Sequence, residues 1–139
     1  MDVLYTATAT AKGDRRGRVE SSDGVIDMDL SMPEGLGGPG GSGTNPEQLF
    51  AAAYAACFES ALNLVAREEK ADVSGASITA RVHIGHPSDG GFGLAAEIIG
   101  NLPNQSKEEA EELMEKAHGV CPYSRATKGS MDVKLSVEG

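Results

Sequence analysis

Residues 45–69 decide how this chain of 139 residues is organised, and they read NPEQLFAAAYAACFESALNLVAREE. Asn45 can cap a helix, Pro46 suits the first helical position, and Gln48 stands where a capping-box partner belongs. The segment continues to about Glu69 with apolar residues around most of the helix circumference. We therefore predict one long central helix that is buried inside the protein.

The residues before this helix alternate in the manner of β-strands. Strands are predicted at residues 3–11, 18–21 and 25–30. Asp23-Gly24 is a hairpin signal, because both residues tolerate positive φ. The glycine-rich residues 33–43 could be a linker between two domains or an irregular loop inside one. Neither side is large enough to make a good independent domain, so we predict a single domain over residues 1–139.

The residues after the helix predict a second group of strands and one more helix. Alternating apolar positions predict strands at residues 78–84, 94–98 and 131–137. A capping box at Ser106 predicts the start of an amphipathic helix that ends near His118-Gly119. Hairpins separated by helices indicate an α+β fold with antiparallel sheets.

Composition excludes several classes of partner. The formal net charge of −9 argues against nucleic acid, because binding to phosphates requires clustered Lys and Arg, and it disfavours an anionic membrane surface. The chain shows no signal-peptide pattern and no charge-free apolar run of about 18 residues, so we expect a cytoplasmic protein. Only 4% of the residues are aromatic, which suggests that the core is extended by a second copy in a homodimer.

The chain contains two cysteines in different settings. Cys57 lies in the apolar helix, whereas Cys121 follows Gly119 and precedes Pro122, where irregular backbone and solvent access are expected. Cys57 could be an inert hydrophobic residue, since free cysteine is often buried. A buried thiol with a second thiol in a loop instead suggests a reversible redox pair, because persistent disulfides are unusual in the cytosol. The residues alone leave both interpretations open.

A reactive Cys57 would need a positive group nearby, because burial in an apolar helix disfavours a thiolate. The candidate cations are Arg15, Arg16, Arg18, Arg81, Arg125, Lys128 and the histidines. Glu47 could be a site residue or an ordinary carboxylate that interacts with the helix dipole. No zinc-ligand spacing occurs among the cysteines and histidines, so we predict neither a metal nor a bound cofactor.

Three stretches together resemble the organic hydroperoxide resistance proteins of the OsmC-like superfamily. The first is Gly17 to Gly24, and the second runs from Leu36 through the segment Thr44-Asn45-Pro46-Glu47-Gln48-Leu49-Phe50 to Ala52 and resumes from Tyr54 to Phe58. The third is Val120-Cys121-Pro122-Tyr123-Ser124. The similarity covers essentially the whole chain, and it implies the OsmC-like fold and an intertwined homodimer.

The resemblance also implies a function, which is that of a thiol peroxidase for organic hydroperoxides. Cys57 would be the peroxidatic thiolate and Cys121 the resolving thiol, with which it forms a disulfide. Arg18 would stabilise the reacting charges, and Glu47 would hold its guanidinium in a bidentate pair. Gly17 before it and Ser21 to Gly24 after it favour Arg18 over Arg15 and Arg16. The implied reductant is a dithiol such as dihydrolipoamide or a lipoylated protein.

Two points stay open on the sequence alone. Glu47 lies about 15 Å from Cys57 along a straight helix, so a fold-back or a second subunit must close that gap. The same cysteine pair would also suit a non-enzymatic redox sensor or a ligand-binding module, and a structural domain with inert cysteines is a third hypothesis. Catalytic consumption of peroxide over many turnovers would separate the first hypothesis from the other two.

Overall fold

The computed structural model describes residues 1–138. The chain divides into two compact units, Met1–Leu49 and Phe50–Gly139. The prediction of a single domain over residues 1–139 stays a prediction.

The first unit contains a three-stranded antiparallel sheet in the order β1-β2-β3. Its strands are β1 at Ala9–Lys12, β2 at Arg18–Ser21 and β3 at Asp27–Asp29, with one-turn 3-10 helices at Asp14–Arg16 and Glu34–Leu36. The first and third strands are shorter than predicted. Residues 3–8 alternate in sequence but lie outside β1 and are exposed, because alternation makes a strand only where a partner strand is available.

The glycine-rich segment forms an irregular loop within the first unit. Its base is closed by two backbone hydrogen bonds, from the Ser31 amide to the Thr44 carbonyl at 2.9 Å and from the Thr44 amide to the Asp29 carbonyl at 2.8 Å. Inside the loop, the amide of Gly40 donates to the carbonyl of Met32 at 3.0 Å. The segment is therefore an irregular loop inside the first unit and does not join the two units.

The long helix α1, Pro46–Glu69, begins where the sequence predicts. The Asn45 side-chain oxygen accepts a hydrogen bond of 2.7 Å from the Gln48 amide, as a helix cap should. One stripe of the helix is buried in the second unit, at Tyr54, Phe58, Ala61, Leu62, Val65 and Ala66.

Burial of α1 is less complete than predicted, because it is confined to that stripe. Ala52, Ala56 and Leu64 lie on the other side of the helix and are exposed in the single chain. By length and mean hydropathy alone α1 could cross a membrane, but core helices of globular proteins have the same property. The exposed apolar stripe indicates a surface that one chain does not cover.

The second unit packs α1 against a three-stranded sheet and two further helices. Its strands are β4 at Ser77–Gly85, β5 at Gly93–Asn101 and β6 at Asp132–Val137, and its other helices are α2 at Lys107–Val120 and α3 at Pro122–Thr127. Ile98, Leu102 and Met114 pack with the buried stripe of α1 in a common apolar core. The predicted start of α2 at Ser106 is confirmed, since its hydroxyl oxygen accepts from the Glu109 amide as an N-cap does, and the hydroxyl itself donates to the Glu109 carboxylate.

The α+β class is confirmed, with one correction to the sheets. β4 and β5 form the predicted antiparallel hairpin, but β6 pairs with β5 in parallel. Parallel neighbours need a crossover connection, and α2 and α3 provide it. The short helix α3 was not predicted, because six residues are too few to show a helical period.

Candidate active site

The two cysteine sulfurs lie 3.7 Å apart in the second unit, and both are free thiols. Cys57 is contributed by the middle of α1, and Cys121 by the junction between α2 and α3. Their exposure is the reverse of the prediction: Cys121 is fully buried, whereas Cys57 is only partly buried. Cys57 is therefore the thiol that a solute from solvent can reach.

The backbone at Cys121 is fixed by both neighbouring helices. Its amide donates to the carbonyl of Ala117 in α2, and its carbonyl accepts from the amide of Arg125 in α3. α2 ends at Val120, one residue beyond the predicted end near His118-Gly119. Pro122 sets the boundary, because a residue before proline avoids the helical conformation and Cys121 is accordingly extended. The result is a sulfur held at a helix corner and turned into the core.

Aromatic rings pack beside the thiols. Phe50, Tyr54 and Tyr123 contact one another, with ring centroids 5.8 to 6.1 Å apart. Tyr54 lies one helical turn before Cys57, and Phe50 lies one turn further back. Tyr54 is fully buried in this cluster, whereas Phe50 is part-buried and Tyr123 is exposed, so the latter two rings are the apolar groups that a hydrocarbon could contact.

Local electrostatics do not favour a thiolate at Cys57. Burial raises the pKa of Cys57, the backbone amide of Tyr123 lowers it by donating to the sulfur, and the neighbouring thiol of Cys121 raises it. Within residues 50–138, none of the groups that shift this pKa is a cation. A thiolate at neutral pH therefore requires a positive group that this unit does not supply.

The first unit holds a bidentate ion pair between Arg15 and Glu47. The guanidinium Nη1 donates to Oε2 at 2.9 Å and Nη2 donates to Oε1 at 2.8 Å. The hydrogen bonds from Arg15 are the largest cause that holds the pKa of Glu47 below its usual value, and the same contact raises the pKa of Arg15. Both side chains are part-buried, so they have less freedom to move than an exposed ion pair, and the two parallel hydrogen bonds hold the guanidinium in one orientation.

The turn that carries Arg15 depends on glycine at both ends. Gly13 has a φ of +84°, in the region that only glycine adopts easily. A Cβ atom at Gly17 would lie 1.6 Å from the carbonyl oxygen of Lys12, so no other residue fits there. These two glycines allow the 3-10 turn Asp14–Arg16 to present Arg15 to the first turn of α1.

Arg18 is not the partner of Glu47, and the predicted pairing is wrong. Its guanidinium binds Asp27 through Nε at 2.7 Å and Asp29 through Nη1 at 2.6 Å, on the exposed surface of the sheet. Arg18 lies opposite Asp29 in the β2–β3 ladder, so these contacts follow from strand register. The catalytic role predicted for Arg18 rested on a pair that Arg15 makes instead.

One signal in the sequence could have identified Arg15. It stands between Gly13 and Gly17 in a tight turn, whereas Arg18 opens a strand.

The structure brings the two cysteines of the predicted site together. Glu47 and Cys57 lie on one helix, as predicted, and the thiols of Cys57 and Cys121 are in contact. In the described part of the chain, no group of three or more His, Cys, Asp or Glu residues could hold a metal ion.

Comparison with known proteins identifies the family. Residues 38–136 match the family model described as OsmC-like protein. The organic hydroperoxide resistance protein of Xanthomonas axonopodis pv. citri is 53% identical over 136 residues, covering 97% of this chain and 95% of the relative. The organic hydroperoxide resistance protein OhrB of Bacillus subtilis is 46% identical over 136 residues, covering 97% of this chain and 98% of the relative.

A solved structure has the same fold. The crystal structure of an organic hydroperoxide resistance protein from Legionella pneumophila superposes with a TM-score of 0.93 at 48% identity, covering 99% of this chain and all of that one. The chain belongs to the OsmC-like proteins and, within them, to the organic hydroperoxide resistance proteins. The resemblance found in the sequence is thereby confirmed.

Proposed function

We propose that this protein is a cysteine-based, thiol-dependent peroxidase that reduces alkyl and fatty-acid hydroperoxides to alcohols. The observation that carries the proposal is the pair of free thiols 3.7 Å apart, one partly exposed and one buried. The names of relatives at 46–53% identity support organic hydroperoxides as the substrate class. The role would be protection of a bacterial cytoplasm against oxidative stress.

The bonds that form and break in the reaction belong to the two thiols, the hydroperoxide and an external dithiol. The Cys57 thiolate attacks the distal peroxide oxygen; an S–O bond forms, the O–O bond breaks, and the alkoxide takes up a proton to leave as alcohol. Cys57 is then a sulfenic acid. The Cys121 thiol attacks it, an S–S bond forms, and water leaves. A dithiol reduces the disulfide by two successive exchanges and is itself oxidised to a disulfide.

We assign the charge-stabilising role to Arg15, with Glu47 as the residue that orients it. The guanidinium that Glu47 holds in a bidentate pair is Arg15, and the Cys57 thiol has no cation of its own unit to lower its pKa. A fixed guanidinium would stabilise both the thiolate and the charge that develops on the peroxide oxygens. Arg18, which the sequence favoured, is occupied by two aspartates.

Substrate selectivity tests the proposed function directly. The rings of Phe50 and Tyr123, which are not fully buried, should favour a hydrocarbon tail by about 0.8 kcal/mol per buried methylene, and hydrogen peroxide has no such tail. We expect cumene, tert-butyl and fatty-acid hydroperoxides to oxidise Cys57 much faster than hydrogen peroxide does, measured as second-order rate constants by stopped flow. Equal constants for hydrogen peroxide and a fatty-acid hydroperoxide would contradict the apolar site.

The reductant is proposed to be a lipoyl dithiol, free or attached to a protein. Its chain is apolar and its two thiols can reduce one disulfide in a single encounter. We expect dihydrolipoamide to sustain more turnovers of peroxide consumption than thioredoxin or a monothiol at equal thiol concentration. Equal support by thioredoxin would mean that the site does not select for the lipoyl chain.

A homodimer is proposed because one chain leaves large apolar groups uncovered. Leu64, Ala56 and Ala52 are exposed on the same side of α1, and Val3 and Leu4 are exposed near the N-terminus. Burying such groups in a second copy would restore the apolar surround that the sequence of α1 predicts. We expect sedimentation equilibrium at micromolar protein to give twice the chain mass of 14.4 kDa. A stable monomer at that concentration would contradict the proposal.

A further inference from the structure

The segment from His118 to Ser124 crosses α1 in an ordered set of contacts on either side of the two sulfurs. Tyr54 contacts Ser124, Cys57 contacts Cys121, and the ring of Phe58 lies 6.5 Å from that of His118. The contacts run in opposite directions along the two elements: as the residue number increases along α1, the residue number of its partner in the segment decreases. The sulfur contact lies between the other two, so the relative placement of the two elements sets the sulfur distance.

One of the flanking contacts is a buried hydrogen bond. The Tyr54 and Ser124 hydroxyls are 2.8 Å apart, and both side chains are almost fully excluded from solvent. Burying a hydroxyl without a hydrogen-bond partner costs free energy, so the folded state is more stable when these two hydroxyls stay bonded to each other. Tyr54 lies one turn before Cys57, and Ser124 lies about one turn after Cys121. The bond thus ties the two backbone segments together next to the thiols.

We propose that Tyr54 and Ser124 are positioning residues for disulfide formation, and that their hydrogen bond holds Cys121 within reach of the oxidised Cys57. This inference rests on the proposed peroxidase function and assigns a role to two residues that the chemistry itself does not use. The sulfurs must close from 3.7 Å to about 2.05 Å, the length of a disulfide bond. Because the sulfurs start so close together, the rate of disulfide formation should fall if α3 shifts against α1 and moves Cys121 away.

The competing reaction makes this role measurable. A Cys57 sulfenic acid either condenses with the Cys121 thiol or reacts with a second hydroperoxide to become a sulfinic acid, which thiols do not reduce. The first route is intramolecular and does not depend on peroxide concentration. If α3 is less well held, the first route slows and the second does not, so over-oxidation begins at a lower peroxide concentration.

The experiment compares Tyr54→Phe and Ser124→Ala with the unaltered protein. Each variant removes one hydroxyl and keeps most of the packing, so at least one of the two should fold. The matched controls are Tyr5→Phe and Ser88→Ala, which remove the same groups from exposed positions. Reduced protein is mixed with increasing cumene hydroperoxide without reductant, and intact mass gives the fractions of disulfide and sulfinic acid.

In both variants, half-maximal over-oxidation should occur at a peroxide concentration about tenfold lower than in the unaltered protein. Both controls should behave like the unaltered protein. The double variant should resemble the single ones, because each single change already breaks the bond. Fractions equal to those of the unaltered protein would overturn the positioning role, even if thermal unfolding shows lower stability, since a purely structural bond would change only stability. Absence of any Cys57 oxidation in the unaltered protein would overturn the peroxidase proposal as well, which separates the two failures.

Discussion

Replacing Cys57 with serine is expected to abolish reduction of organic hydroperoxides. The hydroxyl of serine is not ionised near neutral pH, and the only other thiol, Cys121, is fully buried. The measurement is consumption of cumene hydroperoxide with dihydrolipoamide as reductant, together with the rate of the first turnover by stopped flow. Both should fall to the background rate of the free dithiol.

The matched variant is Cys121→Ser, which removes the second thiol and keeps the first. It should react once with peroxide at a rate close to that of the unaltered protein, because the attack on peroxide uses Cys57. It should then accumulate sulfenic or sulfinic acid and turn over poorly with dithiols, because no intramolecular disulfide can form. Retention of most steady-state activity by Cys57→Ser would show that the thiol roles are assigned wrongly.

Replacing Arg15 with alanine is expected to slow the reaction with organic hydroperoxide by about a hundredfold or more, as loss of a positioned charge-stabilising donor does in other enzymes. The pH dependence should move as well. In the proposed role the Arg15 guanidinium would lower the pKa of Cys57, so its loss should raise that pKa and move the midpoint of the pH–rate profile to higher pH. The measurement is the second-order rate constant of sulfenic acid formation across pH.

Arg18 and Arg16 supply the controls for this prediction. Arg18→Ala removes the same group three residues away, from an exposed guanidinium that binds Asp27 and Asp29. Arg16→Ala removes it from the same turn as Arg15. Both variants should react within a few-fold of the unaltered protein. A loss at Arg18 as large as that at Arg15 would indicate that the sequence-based assignment was correct or that the turn acts as a diffuse positive surface.

Local signals in the sequence predicted the helices well. The cap at Asn45 and the capping box at Ser106 mark true helix starts, because both signals depend on hydrogen bonds within a few residues. The strand pair β4–β5 was predicted for a similar reason, since period-two alternation is interrupted by one short turn. Helices and strands that are specified by residues close together in the chain could therefore be predicted from the sequence alone.

What the sequence could not predict depends on partners far along the chain. Glu47 is separated from its arginine by 32 residues, so the pairing itself is a long-range contact, although the glycines at both ends of the turn set Arg15 apart from Arg18. The parallel pairing of β6 with β5 and the burial of Cys121 are likewise tertiary facts. Proline at position 122 did predict irregular backbone, but irregular backbone was wrongly interpreted as solvent access.

The backbone of Cys121 is hydrogen-bonded to both neighbouring helices, and this limits how the protein can change between its reduced and oxidised states. Because the main chain there completes one helix and begins the next, a displacement of its backbone would break hydrogen bonds to Ala117 and Arg125 together. Rotation about the side-chain χ1 torsion of either cysteine breaks neither bond. Closing of the sulfurs would therefore be confined to torsions of the cysteine side chains. Repeated oxidation and reduction would then leave the helical framework in place, with little conformational work in each cycle.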